Sequence, residues 1–561
     1  MNQPASTSGL RSLDSPGLGS LVQGFAALLW IPQAALLAWA VQRLGEGEGE
    51  GVDMVAGPAA GILLLGLLRA ICEAWGMRCV YAAARSQLSV LRAGVAAALA
   101  ARSPLDSARP ASGLAASVIA EQAEAVVPYL VRYGPARWRA TVVPLVIVVA
   151  VASLSWVAAL VLLIAAPLIP IFMAIVGWRA KAASEAQLIE VGDMNAFLLD
   201  RLRGLATLRA LGAIDATARR LGEAARSLRE RTMVVLRIAF LSSAVLELFS
   251  ALGVAMVAAY VGFHLLGTFE FGTWGVRLSL GQGMFILLLA PAFFEPLREL
   301  SAVWHDRAAG EAALDSLEGL ARDGVPLPGA QATASQQGLA VAGAPSIRIH
   351  GLRFAHAGEH AFFEGYDLRV AAGEHVALLG PSGSGKTALL SLIAGLVPVQ
   401  QGEIVIGGVP LSDRTAVALR GRMAWMGQKP HVFAGSVQAN VAMGRAGVHT
   451  PQVEVAMQFA ALDGVAQAHP SGALGEGGTG LSGGESVRLA LARVAAHSDA
   501  DLLLVDEPTA HLDTETAERV ADALLELARG KTLIVATHDP VLAARMHRVI
   551  RLDAVLEEEA A

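Results

Sequence analysis

Gly380-Pro381-Ser382-Gly383-Ser384-Gly385-Lys386-Thr387 is the stretch that decides how this chain is read. It follows His375-Val376-Ala377-Leu378-Leu379, an apolar run with the pattern of a buried strand. It leads into Ala388-Leu389-Leu390-Ser391-Leu392-Ile393-Ala394, which reads as helix. Glycines between a strand and a helix let backbone N–H groups turn inward around phosphates, at a helix N-terminus whose dipole favours anions. In this context Lys386 is expected to reach the β- and γ-phosphates of a nucleotide, and the Thr387 hydroxyl to bind Mg²⁺.

Two later segments extend the reading. Leu481-Ser482-Gly483-Gly484-Glu485 comes first, then Leu502-Leu503-Leu504-Val505-Asp506-Glu507. Asp506 ends an apolar strand and is expected to hold the metal through its water shell. Glu507, next to it, is placed to polarise an attacking water. His538 follows the strand Thr532-Leu533-Ile534-Val535-Ala536 and is expected to contact the γ-phosphate or orient Glu507. The expectation is an α/β P-loop domain over residues 346–561 that binds ATP with Mg²⁺ and hydrolyses it. Residues 321–345, rich in Gly, Ala, Gln and Pro, read as a linker before it.

The rest of the chain is of another kind. Of 561 residues, 54% are hydrophobic and only 16% charged, and mean hydropathy is +0.52, too apolar for an ordinary soluble enzyme. A net charge of -6 gives no pointer to nucleic acid. Residues 1–17 are polar and rich in Ser and Pro, without the pattern of a cleaved signal peptide. Uncharged or nearly uncharged runs then fill residues 18–320. Leu18–Gln42, Met54–Trp75, Ile238–Phe269 and Leu278–Phe294 each fit one crossing. Thr141–Trp178 fits two, with a break near Leu154-Ser155-Trp156. Six membrane helices result. The connection from Gly45 to Asp53 is short and acidic. Two long stretches carry Arg78, Arg85, Arg92 and Arg102, and Arg201, Arg203, Arg209, Arg219 and Arg220, which places them in the cytoplasm by the positive-inside rule. Both are expected to be membrane helices extending into the cytosol. Arg69 and Glu73 share one helical face, and Glu247 interrupts another span; pairing, snorkelling and attraction of an anionic substrate all fit them. Cys72 and Cys79 form neither a disulfide framework nor a zinc site and read as bystander thiols.

Over nearly its whole length the chain resembles the ATP-binding-cassette exporters, with an α-helical six-span transmembrane domain of exporter type and an α/β P-loop nucleotide-binding domain. The resemblance implies that Gln428, in Met426-Gly427-Gln428-Lys429-Pro430, senses Mg²⁺ and contacts the membrane domain. It implies that Ser482, Gly483 and Gly484 bind the γ-phosphate of ATP held by a partner cassette, and that Ala510-His511-Leu512-Asp513 is the D-loop. One six-helix domain with one cassette is half a transporter, so two chains sandwich two ATP molecules. Three positions depart from the family pattern: Glu485 ends the signature where Gln is usual, His356 stands where a tyrosine stacks on adenine, and Ala388 replaces a common hydroxyl.

Within that family the membrane half is similar to the CydD family of exporter halves. The similarity is carried by Ala196-Phe197-Leu198-Leu199-Asp200-Arg201-Leu202-Arg203-Gly204-Leu205-Ala206-Thr207-Leu208-Arg209, by the stretches Arg231–Glu247 and Leu289–Arg298, and by Pro167–Trp178. It implies a bacterial inner-membrane heterodimer with a CydC-like half-transporter, embedded in membrane lipid, its cassette in the cytoplasm. It also implies export of thiols, cysteine and glutathione, in support of cytochrome bd assembly. Haem as cargo of the same complex stays open beside this, as does export of a lipid, peptide or drug. Arg69, Arg78 and Arg85 fit an anionic cargo or the setting of topology alone.

Overall fold

The computed structural model describes residues 17–46, 53–110, 112–167, 204–275, 277–322, 324–330, 343–356, 360–445, 447–462, 464–465, 474 and 481–552, with scattered positions between 171 and 202. Most of residues 1–17, of the Gly45–Asp53 connection and of the 321–345 linker lies outside the described residues, as do parts of Pro167–Trp178 and Ala196–Arg209. The chain divides into two compact units, residues 1–96 with 112–321, and residues 97–111 with 322–561.

The first unit is helical: α1 Leu18–Leu28, α2 Trp30–Glu46, α3 Asp53–Ala100, α4 Ser112–Ala120, α5 Gly134–Ala152, α6 Trp156–Ala165, α7 Ile214–Leu265, α8 Leu280–Ala302 and α9 Trp304–Arg322. Among the described residues, five helical segments are long and apolar enough to cross a membrane: 18–46, 55–100, 112–152, 244–265 and 280–322. Trp156–Ala165 is the shorter start of the expected fourth crossing. Helices α3 and α7 have 48 and 52 residues. At 1.5 Å per residue they are about 72 and 78 Å long, over twice the hydrocarbon thickness of about 30 Å. Both therefore run well beyond a bilayer, as the arginine-rich stretches led one to expect.

Helix α8 packs against α2, α5 and α7. Its Ile286, Leu289, Phe293 and Phe294 are buried together with Ile147 of α5, Leu162 of α6 and Val257 of α7. In lipid such packing, rather than exclusion of water, holds helices together, and small residues allow close approach. Gly253 of α7 is one: a Cβ there would clash with the Phe294 ring. Ser155 makes the turn between α5 and α6. Its hydroxyl donates to the Gly272 carbonyl (2.7 Å), lies 3.1 Å from the Tyr260 hydroxyl and accepts from the Ala158 amide at the start of α6. The indole N–H of Trp274 donates to Ala152 O (2.7 Å), and Gln42 of α2 accepts from the Gly281 amide of α8. These bonds gather the end of α2, the end of α5 and the start of α8 on one face of the bundle.

The second unit carries two sheets. A four-stranded antiparallel sheet has the order β2-β1-β4-β5, where β1 is Ile347–Ala355, β2 Ala361–Val370, β4 Gln401–Ile406 and β5 Val409–Pro410. A five-stranded parallel sheet has the order β6-β7-β8-β3-β9, with β3 His375–Leu379, β6 Met423–Met426, β7 Leu502–Asp506, β8 Thr532–Thr537 and β9 Arg548–Arg551. β7 and β8 are buried at every position, the signature of central parallel strands covered on both faces. Helix α10 (Lys386–Ile393) follows β3, α11 (Gly483–Ala495) precedes β7, and α12 (Thr514–Leu527) follows it. Residues 97–111 are stitched into this unit. The Ser103 hydroxyl donates to Leu396 O (2.6 Å), the Ser103 amide to Val325 O (2.8 Å), and Asp106 accepts from the Val325 amide (3.0 Å).

Ser155 caps a helix and is fully buried. Ser155→Ala is expected to lower the stability of the membrane half by about 1–2 kcal/mol, read as earlier thermal unfolding in detergent. An unchanged unfolding curve contradicts this account of the turn.

Candidate nucleotide site

The carboxyl ends of adjacent parallel strands gather the predicted residues. Met426 ends β6 and Gln428 follows it; Asp506 ends β7 and Glu507 follows; Thr537 ends β8 and His538 follows; Leu379 ends β3 and Gly380 follows. Because the strand order is β6-β7-β8-β3, all of these lie along one edge of one sheet.

The loop from Gly380 to Gly385 bends where only glycine fits easily. Gly383 and Gly385 have φ of 86° and 85°, and Gly385 caps α10. Ser384 is buried, and its hydroxyl has no partner among the described residues. Lys386 is buried too, and its ammonium donates to the carbonyls of Gly380 (2.7 Å) and Pro381 (2.8 Å) across the loop. The Lys386 Nζ also lies 4.0 Å from Glu507 Oε1. Pro381, Ser382 and Gly383 form the loop's exposed or half-exposed rim, apart from buried Ser384 behind them.

Thr387 donates its hydroxyl to Asp506 Oδ2 (2.8 Å). Asp506 is 2% exposed, and its second oxygen, Oδ1, is buried without a hydrogen-bond partner among the described residues. Burial pushes the Asp506 carboxyl above the usual carboxylate range, against the lowering effect of the Thr387 hydrogen bond. An orphaned carboxylate oxygen beside a threonine hydroxyl is a hard, anionic donor set of the kind Mg²⁺ takes.

Glu507 and His538 form a dyad. Glu507 Oε2 lies 2.6 Å from His538 Nδ1, and the Glu507 amide donates to Ala536 O (2.8 Å). Glu507 has φ of 50°, the left-handed region that non-glycine residues rarely enter. Such strain persists where surrounding bonds over-determine it, commonly at functional sites. Gln428 stands exposed beyond β6.

His356 follows β1 and meets Phe354 (5.2 Å) and Phe362 (5.4 Å) edge-on. A Cβ on Gly385 would touch the rings of Phe363 and Phe362, so this aromatic patch abuts the phosphate loop. Phe362 was not singled out from the sequence; the paired aromatics Phe362-Phe363 were the available signal. The signature segment opens α11 with a capping box: Ser482 Oγ accepts from the Glu485 amide (3.2 Å), and the Glu485 carboxylate accepts from the Ser482 amide (2.7 Å). Glu485 is thereby engaged in the cap, and Gly483 and Gly484 supply the first-turn amides outside the box. In the D-loop His511 has φ of 61°, and Asp513 caps α12 by accepting from the Thr516 amide (2.9 Å).

A nucleotide-cradling loop, a buried metal-type carboxylate and a strained glutamate–histidine dyad, in a chain that also carries a unit of membrane-length helices, define an ATP-driven membrane transporter. The comparisons agree. The ABC transporter family model matches residues 363–510, and the ABC transporter transmembrane region model matches residues 138–296. The chain is 37% identical over 429 residues to a glutathione/L-cysteine transport system ATP-binding/permease protein, CydD, of Haemophilus influenzae, covering 76% of this chain and 72% of that one. It is 35% identical over 430 residues to the protein of the same description from Escherichia coli, with the same coverage. The structure of a bacterial Atm1-family ABC exporter with ATP bound has the same fold, with a TM-score of 0.77 at 22% identity over 98% of this chain and 95% of that one. The chain belongs to the ABC transporter family, as a CydD-like member. It is a multi-pass membrane protein that binds ATP and couples its hydrolysis to transport.

At neutral pH an ionised Asp506 burdens the fold while no cation sits beside it, because burial disfavours charge. Asp506→Asn keeps a partner for Thr387 and is expected to stabilise the full chain in EDTA by on the order of 1 kcal/mol, read as a higher unfolding temperature. The same variant is expected to lose Mg²⁺-dependent ATP hydrolysis. A lower unfolding temperature in EDTA contradicts the assignment of Asp506 as a destabilised, metal-directed carboxylate.

Proposed function

We propose that this chain is one half of a heterodimeric exporter whose other half is CydC-like, moving cysteine and glutathione out across the bacterial inner membrane in support of cytochrome bd assembly. The cassette faces the cytoplasm, where ATP is. The observation that carries the hydrolytic part is the Glu507–His538 dyad beside Lys386. The glutathione/L-cysteine transport named for the CydD relatives supports the cargo.

On this reading Lys386 exchanges its two loop carbonyls for the β- and γ-phosphates of ATP. The amides of Gly383 to Thr387 surround them, and His356 with Phe362 flanks the base. Thr387 and Asp506 Oδ1 would hold Mg²⁺, with Gln428 completing the shell from the next strand. When bound, the ion neutralises charge on the β- and γ-phosphate oxygens. Glu507 orients and polarises the attacking water, and His538 holds that carboxylate and reaches the γ-phosphate. Ser482, Gly483 and Gly484 serve the ATP of the second cassette, so closure of the dimer completes both sites.

Two measurements test this. Glu507→Gln in the assembled pair is expected to lower ATP turnover about 10²-fold or more while ATP binding persists; turnover near wild type overturns the assignment of Glu507. The purified pair in lipid is expected to show saturable ATPase stimulation by cysteine and glutathione. Stimulation only by haem would decide for the other cargo, and stimulation only by an unrelated lipid or drug overturns the CydD-type function.

A further inference from the structure

The Glu507–His538 dyad joins two loops that leave neighbouring strands. Glu507, Pro508 and Thr509 follow β7; His538 and Asp539 follow β8, which pairs with it. A dyad made between loops is only as precise as the spacing of those loops. The side chain of His538 is 64% exposed, that of Glu507 only 8%. Packing therefore holds the glutamate well and the imidazole poorly. The place of the imidazole depends on the backbone that carries it.

That backbone is held at Asp539. The Asp539 amide donates to the Thr537 hydroxyl (3.0 Å), and Asp539 Oδ1 accepts from the Val541 amide (2.8 Å). The second bond caps the short helix Pro540–Ala544, whose Leu542 and Ala543 are buried in one core with Val505 of β7 and Val535 of β8. One carboxylate oxygen is thereby committed to its own loop. The other, Oδ2, reaches across and accepts from the Thr509 hydroxyl at 3.2 Å. Between Glu507 and Thr509 lies buried Pro508, inside a turn closed by the Ala510 amide donating to Glu507 O (3.2 Å). The two loops thus meet twice, at Glu507–His538 and, within two residues of it, at Thr509–Asp539. Both residues of the second meeting are half-buried.

Capping does not require the second meeting, because Asp539 Oδ1 makes the cap by itself. Nor is 3.2 Å the length of a settled bond: a tight hydroxyl–oxygen bond measures about 2.7–2.8 Å. Bonds that serve a reacting group are often long at rest and close as the reaction proceeds. A contact that tightens toward the transition state contributes to kcat and little to substrate binding.

We propose that Thr509 and Asp539 are positioning residues for ATP hydrolysis, their bond being a second bridge between the strand-end loops that keeps His538 against Glu507 while Glu507 polarises the attacking water. Both act through the dyad rather than on the nucleotide. Thr509 supplies the hydrogen and Asp539 the anionic acceptor. A side chain of threonine's shape without its hydroxyl leaves the loops joined at the dyad alone. The inference rests on the hydrolytic reading of Glu507 and names what holds that glutamate's partner in place.

The test uses the complete heterodimer in lipid nanodiscs. ATP turnover is titrated with MgATP, and thermal unfolding is followed in parallel. The rate that remains in Glu507→Gln is subtracted, which leaves the turnover owed to this chain's own glutamate. Thr509→Val is expected to lower that kcat about tenfold or more, the worth of one hydrogen bond to a charged group, and to leave KM for ATP within about twofold. Thr509→Ser keeps the hydroxyl and is expected to keep kcat within about twofold. Unchanged kcat in Thr509→Val overturns the proposal, even where that variant unfolds earlier, because the residue is then structural alone. An equal loss of kcat in Thr509→Ser overturns it too, since packing and not the hydroxyl is then at work. So does a rise in KM as large as the fall in kcat. Turnover unchanged in Glu507→Gln overturns the hydrolytic reading itself, whereas turnover lost there and kept in Thr509→Val overturns the bridge alone.

Discussion

The Asp506 carboxylate is buried because the strand that carries it is buried at every position from Leu502 on, and much of the nucleotide site follows from that. A carboxylate at the end of such a strand must find partners at the strand's tip or remain unsatisfied. Thr387 supplies one, which fixes the first turn of α10 against β7 and so sets the register of the whole phosphate loop. The other oxygen has no hydrogen-bond partner among the described residues. The residue after Asp506 must leave the strand at once, and Glu507 does so with φ of 50°. Left-handed backbone costs roughly 1–2 kcal/mol for a residue with a Cβ. Its amide bond to Ala536 and its carboxylate contact with His538 hold that geometry. The position of the catalytic candidate is thus a consequence of strand burial, not of an independent loop.

The membrane unit runs on the opposite economy of exposure. Leu63, Leu64 and Leu67 of α3 are 64–77% exposed, a liability in water and an ordinary surface in lipid. On the same helix, Arg69 and Glu73 are the residues that need explanation. Helices here are held by close packing of small and aromatic residues, as at Gly253 and Phe294. Such packing tolerates few polar groups, so the ion pair between Arg139 of α5 and Glu299 of α8 stands apart from the surface ion pairs of the ATPase unit.

Local order was legible in the sequence. The strand–loop–helix around Gly380, the buried strand ending at Asp506 and the helix break at Ser155 are each written within a dozen residues, where pattern and chemistry coincide. So were the membrane helices and their overlong arginine-rich extensions. What escaped depends on contacts between distant residues. The pairing of Arg139 with Glu299 spans helices α5 and α8, and no local signal links them. The packing of Phe362 against both His356 and the phosphate loop depends on how β2 pairs with β1. The assignment of residues 97–111 to the ATPase unit rests on Ser103 bonding to Leu396, nearly 300 positions on. Such contacts are set by topology, which a single sequence does not print.

Glu485 shows how a small departure from a family pattern acquires physical meaning. At the third position of a helix either glutamate or glutamine closes a capping box, so the cap itself does not distinguish them. The charge does. A carboxylate in the first turn complements the helix dipole and stabilises the free helix end. It also offsets part of the positive potential that Gly483 and Gly484 would present to a phosphate. With glutamine the helix end keeps its full attraction for an anion; with Glu485 it is more content when empty.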